Sequence, residues 1–235
     1  MEWKSTMQSP FTTVKAPHNI ALVVIDMQHD FVDDDAPIAC KGASTIVALI
    51  HEVAGLARTL GIPVIYTRES HRKQKVDFGL ELEYGETEHC VEGTPGVEII
   101  DELRPHESDY VLVKRRYSGF FATDLDLLLK GLGVDTLVLT GVATDVCVRA
   151  TAQDALQLDY RVWVPRECVA GTNEARHLAA LENIGYVLGG SYLWTRSCNI
   201  CVTAVWYRHE HSAGSQTAAL CRLPPGDSSV GRRAG

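Results

Sequence analysis

Three side chains in this sequence have complementary chemistry: the carboxylate of Asp26, the amine of Lys114 and the thiol of Cys147. A thiol becomes a strong nucleophile when it loses its proton, a carboxylate can accept that proton, and an ammonium stabilises both anions. Each stands where an apolar run ends: Asp26 after Ile20–Ile25, Lys114 after Val111–Val113, and Cys147 a few residues after Thr136–Thr140. Taken singly, each has a plainer reading: Asp26 as a turn or cap, Lys114 as a solvated charge, Cys147 as a small buried hydrophobe. Taken jointly, they describe a cysteine hydrolase. Thr144 or Asp145 can cap a helix predicted over residues 145–158, placing Cys147 in its first turn. There the unpaired amides and the helix dipole are expected to lower the thiol pKa, and the same amides to stabilise an oxyanion.

Residues this far apart in sequence converge only if the elements between them fold back on one another. Ile20-Ala-Leu-Val-Val-Ile25 shows no polar alternation, the pattern of a strand buried on both faces of a parallel sheet. Ile62–Tyr66, Val111–Val113, Thr136–Thr140 and Tyr160–Val164 predict further strands. Apolar residues at helical spacing (Ile46, Leu49, Ile50, Val53, Leu56, Leu60) predict a helix over 43–60 that stops at Gly61. Other helices are expected over 124–130, 145–158 and 173–183. Strand and helix alternate, so the reading is α/β: a single domain over residues 18–189, with a parallel sheet of five to six strands and helices on both faces. Ligands of such sheets bind beyond the carboxyl ends of the strands, the edge to which Asp26, Lys114 and Cys147 are assigned. Residues 68–96 form a long polar insertion, a feature that in compact domains is usually functional.

The segments Ile25-Asp-Met-Gln-His-Asp-Phe31, Val113-Lys-Arg-Arg-Tyr-Ser-Gly-Phe120 and Leu139-Thr-Gly-Val-Ala-Thr-Asp-Val-Cys-Val148 resemble, in this order, the motifs of the isochorismatase-like cysteine hydrolases. The resemblance covers residues 18–188. It implies the three-layer sandwich of that family and a triad of Asp26, Lys114 and Cys147. It also implies a cis peptide between Val142 and Ala143, with the amides of Ala143 and Cys147 forming an oxyanion hole. Isochorismatases proper lack this cysteine, so its presence points to amide hydrolysis. Glu69-Ser-His-Arg72, Asp77-Phe-Gly-Leu-Glu-Leu82 and His89-Cys-Val-Glu-Gly-Thr-Pro-Gly96 are similar to the branch containing biuret and ureidoacrylate amidohydrolases. Those enzymes cleave a carbamoyl-type C–N bond and release ammonia. Phe31 and Tyr117 are candidate pocket residues, each with packing as its alternative. The implied route, a thioester on Cys147 formed and hydrolysed with Asp26 as proton carrier, calls for no redox or nucleotide cofactor.

Composition narrows the classes. The 235 residues are 46% hydrophobic and 22% charged, enough to bury a core. Thirty acidic against 22 basic residues, a net −8, argue against a nucleic-acid or anionic-membrane partner, and the family resemblance implies a small-molecule amide as the partner. Residues 1–17 read as a polar arm without a secretory signal, no apolar run is long enough for a membrane helix, and the seven scattered cysteines suit reduced thiols, so the expected location is cytoplasmic. Glu69, His71 and His89 are similar to the metal set of nicotinamidases, with Glu in place of Asp. Their donor types suit zinc or iron, but hydrogen bonds within the loop are the preferred reading and no metal is expected. Cys198 and Cys201 followed by His209 and His211 lack zinc-finger spacing, and Gly131-Leu-Gly133 reads as a turn before a strand. Residues 190–235, with five basic and two acidic residues, are atypical of the family and expected to be partly disordered, with Cys201–Trp206 a candidate edge strand. Relatives imply a homo-oligomer, dimer or tetramer. Two alternatives stand beside the carbamoyl amidohydrolase: a nicotinamidase-like, metal-assisted amidase, and a non-catalytic binding or regulatory protein that retains the fold.

Overall fold

All six residues of the most apolar run, Ile20–Ile25, are buried and form β1. In the computed structural model, which describes residues 19–187 and 193–194, this strand lies inside a parallel sheet. The other strands are β2 (Val64–Glu69), β3 (Tyr110–Lys114), β4 (Thr136–Val142), β5 (Arg161–Pro165), β6 (Val169–Ala170) and β7 (Leu193–Trp194). Their order is β3-β2-β1-β4-β5-β7, with β6 paired to the end of β4, and every pairing is parallel.

Period two along β1 splits the core in two. Ile20, Leu22 and Val24 face one layer, Ala21, Val23 and Ile25 the other. The first layer holds α1 (His29–Val32) and α2 (Ala43–Thr59), which buries Ile46, Ile50, Val53, Ala54 and Ala57 along one helical face. The second holds α3 (Leu125–Gly131), α4 (Arg149–Gln157) and α5 (Glu174–Val187), through Leu125, Leu129, Ala152, Ala155, Leu181 and Ile184. At about 1.5–3 kcal/mol for each large aliphatic side chain removed from water, these layers are what hold the sheet edge in place.

Chain order turns back at β1: β2 and β3 are laid on one side, β4 and β5 on the other. Such a switch point opens a crevice at the carboxyl ends of the strands. Register aligns those ends, with Ile25 opposite Gly141 and Glu69 opposite Lys114. Gly141 has φ +100°, and a Cβ there would lie 2.1 Å from the Ile25 carbonyl oxygen. Only glycine lets β4 approach β1 this closely.

The structure differs from the expectation at the functional edge. β2 runs to Glu69 rather than stopping at Tyr66, because sheet pairing with β3 carries the polar Arg68 and Glu69 that an apolar pattern leaves out. The helix expected over 145–158 is divided into a π-helical turn, Thr144–Val148, and then α4. Leu193–Trp194, inside the stretch read as an atypical extension, pairs with β5. The N-terminal arm 1–17, the rest of the tail, and the Cys198, Cys201, His209, His211 group and candidate strand Cys201–Trp206 within it lie outside the described residues. Among the described residues no helix is long and apolar enough to cross a membrane.

Candidate active site

Asp26, the first residue after β1, turns the chain with φ +50°, an angle uncommon outside glycine, and its side chain is buried. Thr67 on β2 fixes it: the Thr67 hydroxyl donates to Asp26 Oδ1 at 2.7 Å and accepts the Asp26 amide at 3.2 Å. Lys114 ends β3 and is 1% exposed. Its Nζ lies 2.7 Å from Asp26 Oδ2 and 2.6 Å from Glu69 Oε2, donates to the Arg116 carbonyl at 2.9 Å, and stands 3.6 Å from Cys147 Sγ. The three residues singled out from the sequence therefore meet around one ammonium at the ends of β1, β3 and β4.

Cys147 sits on the π-helical turn that follows a cis peptide between Val142 and Ala143. The Ala143 carbonyl accepts the amides of Val146 and Val148 at 3.0 and 3.1 Å. Thr144 and Asp145 do not cap this turn with their side chains, contrary to the expectation. Instead they anchor it to α5 and the segment before it: Asp145 accepts the Thr172 amide and hydroxyl at 2.8 and 2.5 Å, and Thr144 Oγ1 lies 2.9 Å from Nδ1 of His177 in α5. Gly171 leaves room for this anchor, since a Cβ there would come within 2.7 Å of Asp145 Oδ1 and of His177 Cβ.

Electrostatics sort the groups. Burial pushes the Asp26 carboxyl up and nearby Glu69 adds to this, against the pull of Lys114. Burial also acts to raise Glu69, but Lys114 and hydrogen bonds from His71 and His89 hold it well below the usual carboxylate range. Burial works against the Lys114 charge, yet Asp26, Cys147 and Glu69 keep its pKa well above the ordinary value. The Cys147 thiol is pushed well up by burial and by the charges of Asp26 and Glu69, with Lys114 opposing. This corrects the expectation of a thiol lowered by a helix start: the turn is buried and faces two carboxylates, and their field with desolvation outweighs the amides. A thiol pushed up in this way must hand its proton on as it attacks.

Two signals were not assigned from sequence. Gln28 is fully buried and stitches β1 to β2: its amide donates to the carbonyls of Glu69 and Val97, both at 2.8 Å, and its oxygen accepts the Glu69 amide at 2.7 Å. Glu69 itself was read only as part of a loop set, although it is opposite Lys114 in register. Its Oε1 accepts from His71 Nε2 at 3.2 Å and His89 Nε2 at 3.0 Å. His89 Nδ1 faces the Thr87 carbonyl at 2.7 Å, so donation from both ring nitrogens needs the imidazolium form, which, against burial, Glu69, Thr87 and Glu86 favour by raising its pKa; His71 stacks on Phe78 with ring centroids 3.8 Å apart. One ligand atom from each of Glu69, His71 and His89 falls within 4.8 Å of the others. A divalent ion there would have to displace both imidazole hydrogen bonds and share Glu69 with an ammonium 2.6 Å away, so the arrangement does not fit one. Phe31 is packed in the core with its ring 5.9 Å from His89. Tyr117 is half-exposed, and burial together with Glu86, Glu81 and Cys147 pushes its hydroxyl up to about 12.

The sequence and the fold have counterparts in known proteins. The isochorismatase domain family matches residues 20–191. The chain belongs to that family. It is 37% identical over 186 residues to a probable inactive nicotinamidase of Arabidopsis thaliana, covering 75% of this chain and 95% of the relative. It is 33% identical over 220 residues to the ureidoacrylate amidohydrolase RutB of Pantoea ananatis, covering 84% and 86%. Among solved structures, an isochorismatase-like hydrolase from Alkaliphilus metalliredigens superposes with a TM-score of 0.70 at 38% identity, over 79% of this chain and 100% of that one. The sheet order and the single α/β unit are those of the isochorismatase fold.

Proposed function

We propose that this isochorismatase-family hydrolase acts on carbon–nitrogen bonds other than peptide bonds, and that its substrate is a small carbamoyl amide of the ureidoacrylate or biuret type. The observation that carries the reading is the convergence of Asp26 Oδ2 and Cys147 Sγ on one buried ammonium, at 2.7 and 3.6 Å from Lys114 Nζ. Similarity to a ureidoacrylate amidohydrolase supports the substrate class. Cys147 Sγ attacks the carbonyl carbon while its proton passes to Asp26, and the amides of Ala143 and Cys147 receive the developing oxyanion. Asp26 then protonates the departing nitrogen, ammonia leaves, and a thioester remains. Water, deprotonated by Asp26, hydrolyses it. Lys114 stays charged throughout and stabilises the thiolate. Phe31 and Tyr117 are assigned to the pocket wall. A homo-oligomer in the cytoplasm is the proposed setting.

A second reading, a non-catalytic protein on the same fold, is favoured by the probable inactive nicotinamidase among the relatives. Ammonia release from biuret, ureidoacrylate, N-carbamoyl amino acids and nicotinamide separates the two, run on the unsubstituted chain and Cys147→Ala, with and without zinc. The expected result is release from a carbamoyl amide, abolished by Cys147→Ala and unchanged by zinc. No release from any compound by folded protein supports the second reading. Zinc-dependent release from nicotinamide replaces the proposal with a metal amidase.

A further inference from the structure

Lys114 touches two carboxylates, Asp26 Oδ2 at 2.7 Å and Glu69 Oε2 at 2.6 Å. The ammonium donates to Glu69 Oε2 at 2.6 Å, to the Arg116 carbonyl at 2.9 Å and to Cys147 Sγ at 3.6 Å. An ammonium has three protons; with Asp26 Oδ2 at 2.7 Å four atoms stand around it, and the 3.6 Å contact to sulfur is the weakest. Asp26 is held by fewer groups than Glu69: beside its ion pair with Lys114, its carboxylate accepts from the Thr67 hydroxyl and faces the Cys147 thiol. Glu69, in contrast, is fully committed: Oε2 to Lys114, Oε1 to His71 and His89, and its backbone to Gln28. Oxygen atoms of Asp26 and Glu69 and the sulfur of Cys147 all fall within 4.8 Å of one another.

We propose that Glu69 is a further positioning residue of the site, the permanent counter-charge of Lys114, so that Asp26, which Lys114 also touches, can take the Cys147 proton without leaving the ammonium unpaired. The step balances: the S–H bond breaks, an O–H bond forms on Asp26 Oδ2, and the electron pair left on sulfur makes the new bond to carbon. Once Asp26 is neutral, Lys114 would face the thiolate with no fixed anion to hold it. Glu69 supplies that anion before, during and after the transfer. It does so without competing for the proton, because every lone-pair direction it uses already holds an N–H. The charged and titratable groups around it are Lys114 from β3, Asp26 after β1, Cys147 from the π-helical turn, and His71 and His89 from the insertion.

This inference rests on Cys147 being the nucleophile, and the experiment keeps the two apart. Iodoacetamide alkylation of each cysteine is followed against pH in the full chain and in Glu69→Gln, which keeps the shape and removes the charge. If Cys147→Ala retains ammonia release, the reading of the nucleophile fails. In Glu69→Gln the pH midpoint for Cys147 falls by about one unit, since a nearby anion is gone, while kcat drops about 10- to 100-fold with KM little changed. A thiol that ionises more easily in an enzyme that turns over more slowly is the signature of a lost counter-charge. Side-chain packing alone would slow both and leave the midpoint where it was. Glu69→Asp, which keeps the charge, holds the midpoint near that of the unsubstituted chain. An unmoved or raised midpoint in Glu69→Gln, or an unchanged kcat, overturns the proposal. Carboxyl 13C titration of the unsubstituted chain needs no variant to fold: Glu69 is expected to titrate below Asp26, and the reverse order overturns the assignment.

Discussion

Asp26 and Glu69 are two carboxylates on one ammonium, and their surroundings push them in opposite directions. A pair separated in this way divides the labour of proton carrier and fixed charge. Asp26→Asn tests the first role. Asparagine keeps the oxygen that Thr67 Oγ1 donates to at 2.7 Å, but it cannot carry a proton between sulfur, leaving nitrogen and water. Loss of a positioned acid–base group costs about 10²- to 10⁴-fold in rate, so kcat is expected to fall about 10³-fold in an ammonia assay while Cys147 still alkylates. Retained turnover removes Asp26 from the mechanism. Asp26, Lys114 and Cys147 were legible in the sequence because each has a reactive type at the end of an apolar run. The partnership of Glu69 with Lys114 was not, because it depends on strand register, and the polar end of β2 gives no apolar signal. The direction of the Cys147 shift was misread for a related reason: sequence shows a turn with free amides but not the burial and two carboxylates that outweigh them.

At the scale of elements, the site depends on how closely β4 approaches β1 and on how the nucleophile turn is pinned. β1 and α2 were read from sequence to within a residue, since an unbroken aliphatic run and a regular 3.6-residue face leave little freedom. The π-helical turn was not, because local pattern predicts a continuous helix and tertiary anchors, Asp145 on Thr172 and Thr144 beside His177, decide otherwise. Gly141 is where the approach of the strands is tightest. Alanine there would place Cβ 2.1 Å from the Ile25 carbonyl oxygen at φ +100°. Both the clash and the backbone angle oppose it, and overpacking in a rigid core alone costs about 1–3 kcal/mol, with left-handed strain in addition. Gly141→Ala is therefore expected to lose more than about 3 kcal/mol in urea denaturation, and to lose activity along with stability because Ile25 leads directly into Asp26. A variant of unchanged stability would show that β1 and β4 do not meet in this register.

For the whole molecule, a buried cluster of charges links folding to pH. Glu69 is held below the unfolded carboxylate value of about 4.3, so it contributes stability above that pH and the contribution is lost as pH falls through the lower folded value. Asp26 has the opposite sign: its folded pKa is raised, so it opposes stability above its unfolded value of about 3.9 and ceases to do so below it. Lys114, raised in the fold, contributes fully below about 10.4 and loses that contribution only as pH rises through its higher folded value. Below about pH 4 the Asp26 effect is spent, and of these three groups Glu69 alone still sets the slope. Urea denaturation of the full chain from pH 6 to 3 should thus show stability falling steeply below pH 4. In Glu69→Gln the absolute stability at pH 6 is lower but the acid slope is shallower, since the group that would take up a proton on unfolding is gone. Parallel acid slopes in the two proteins would mean that Glu69 is not ionised in the folded state, and that Lys114 draws its counter-charge from Asp26 alone.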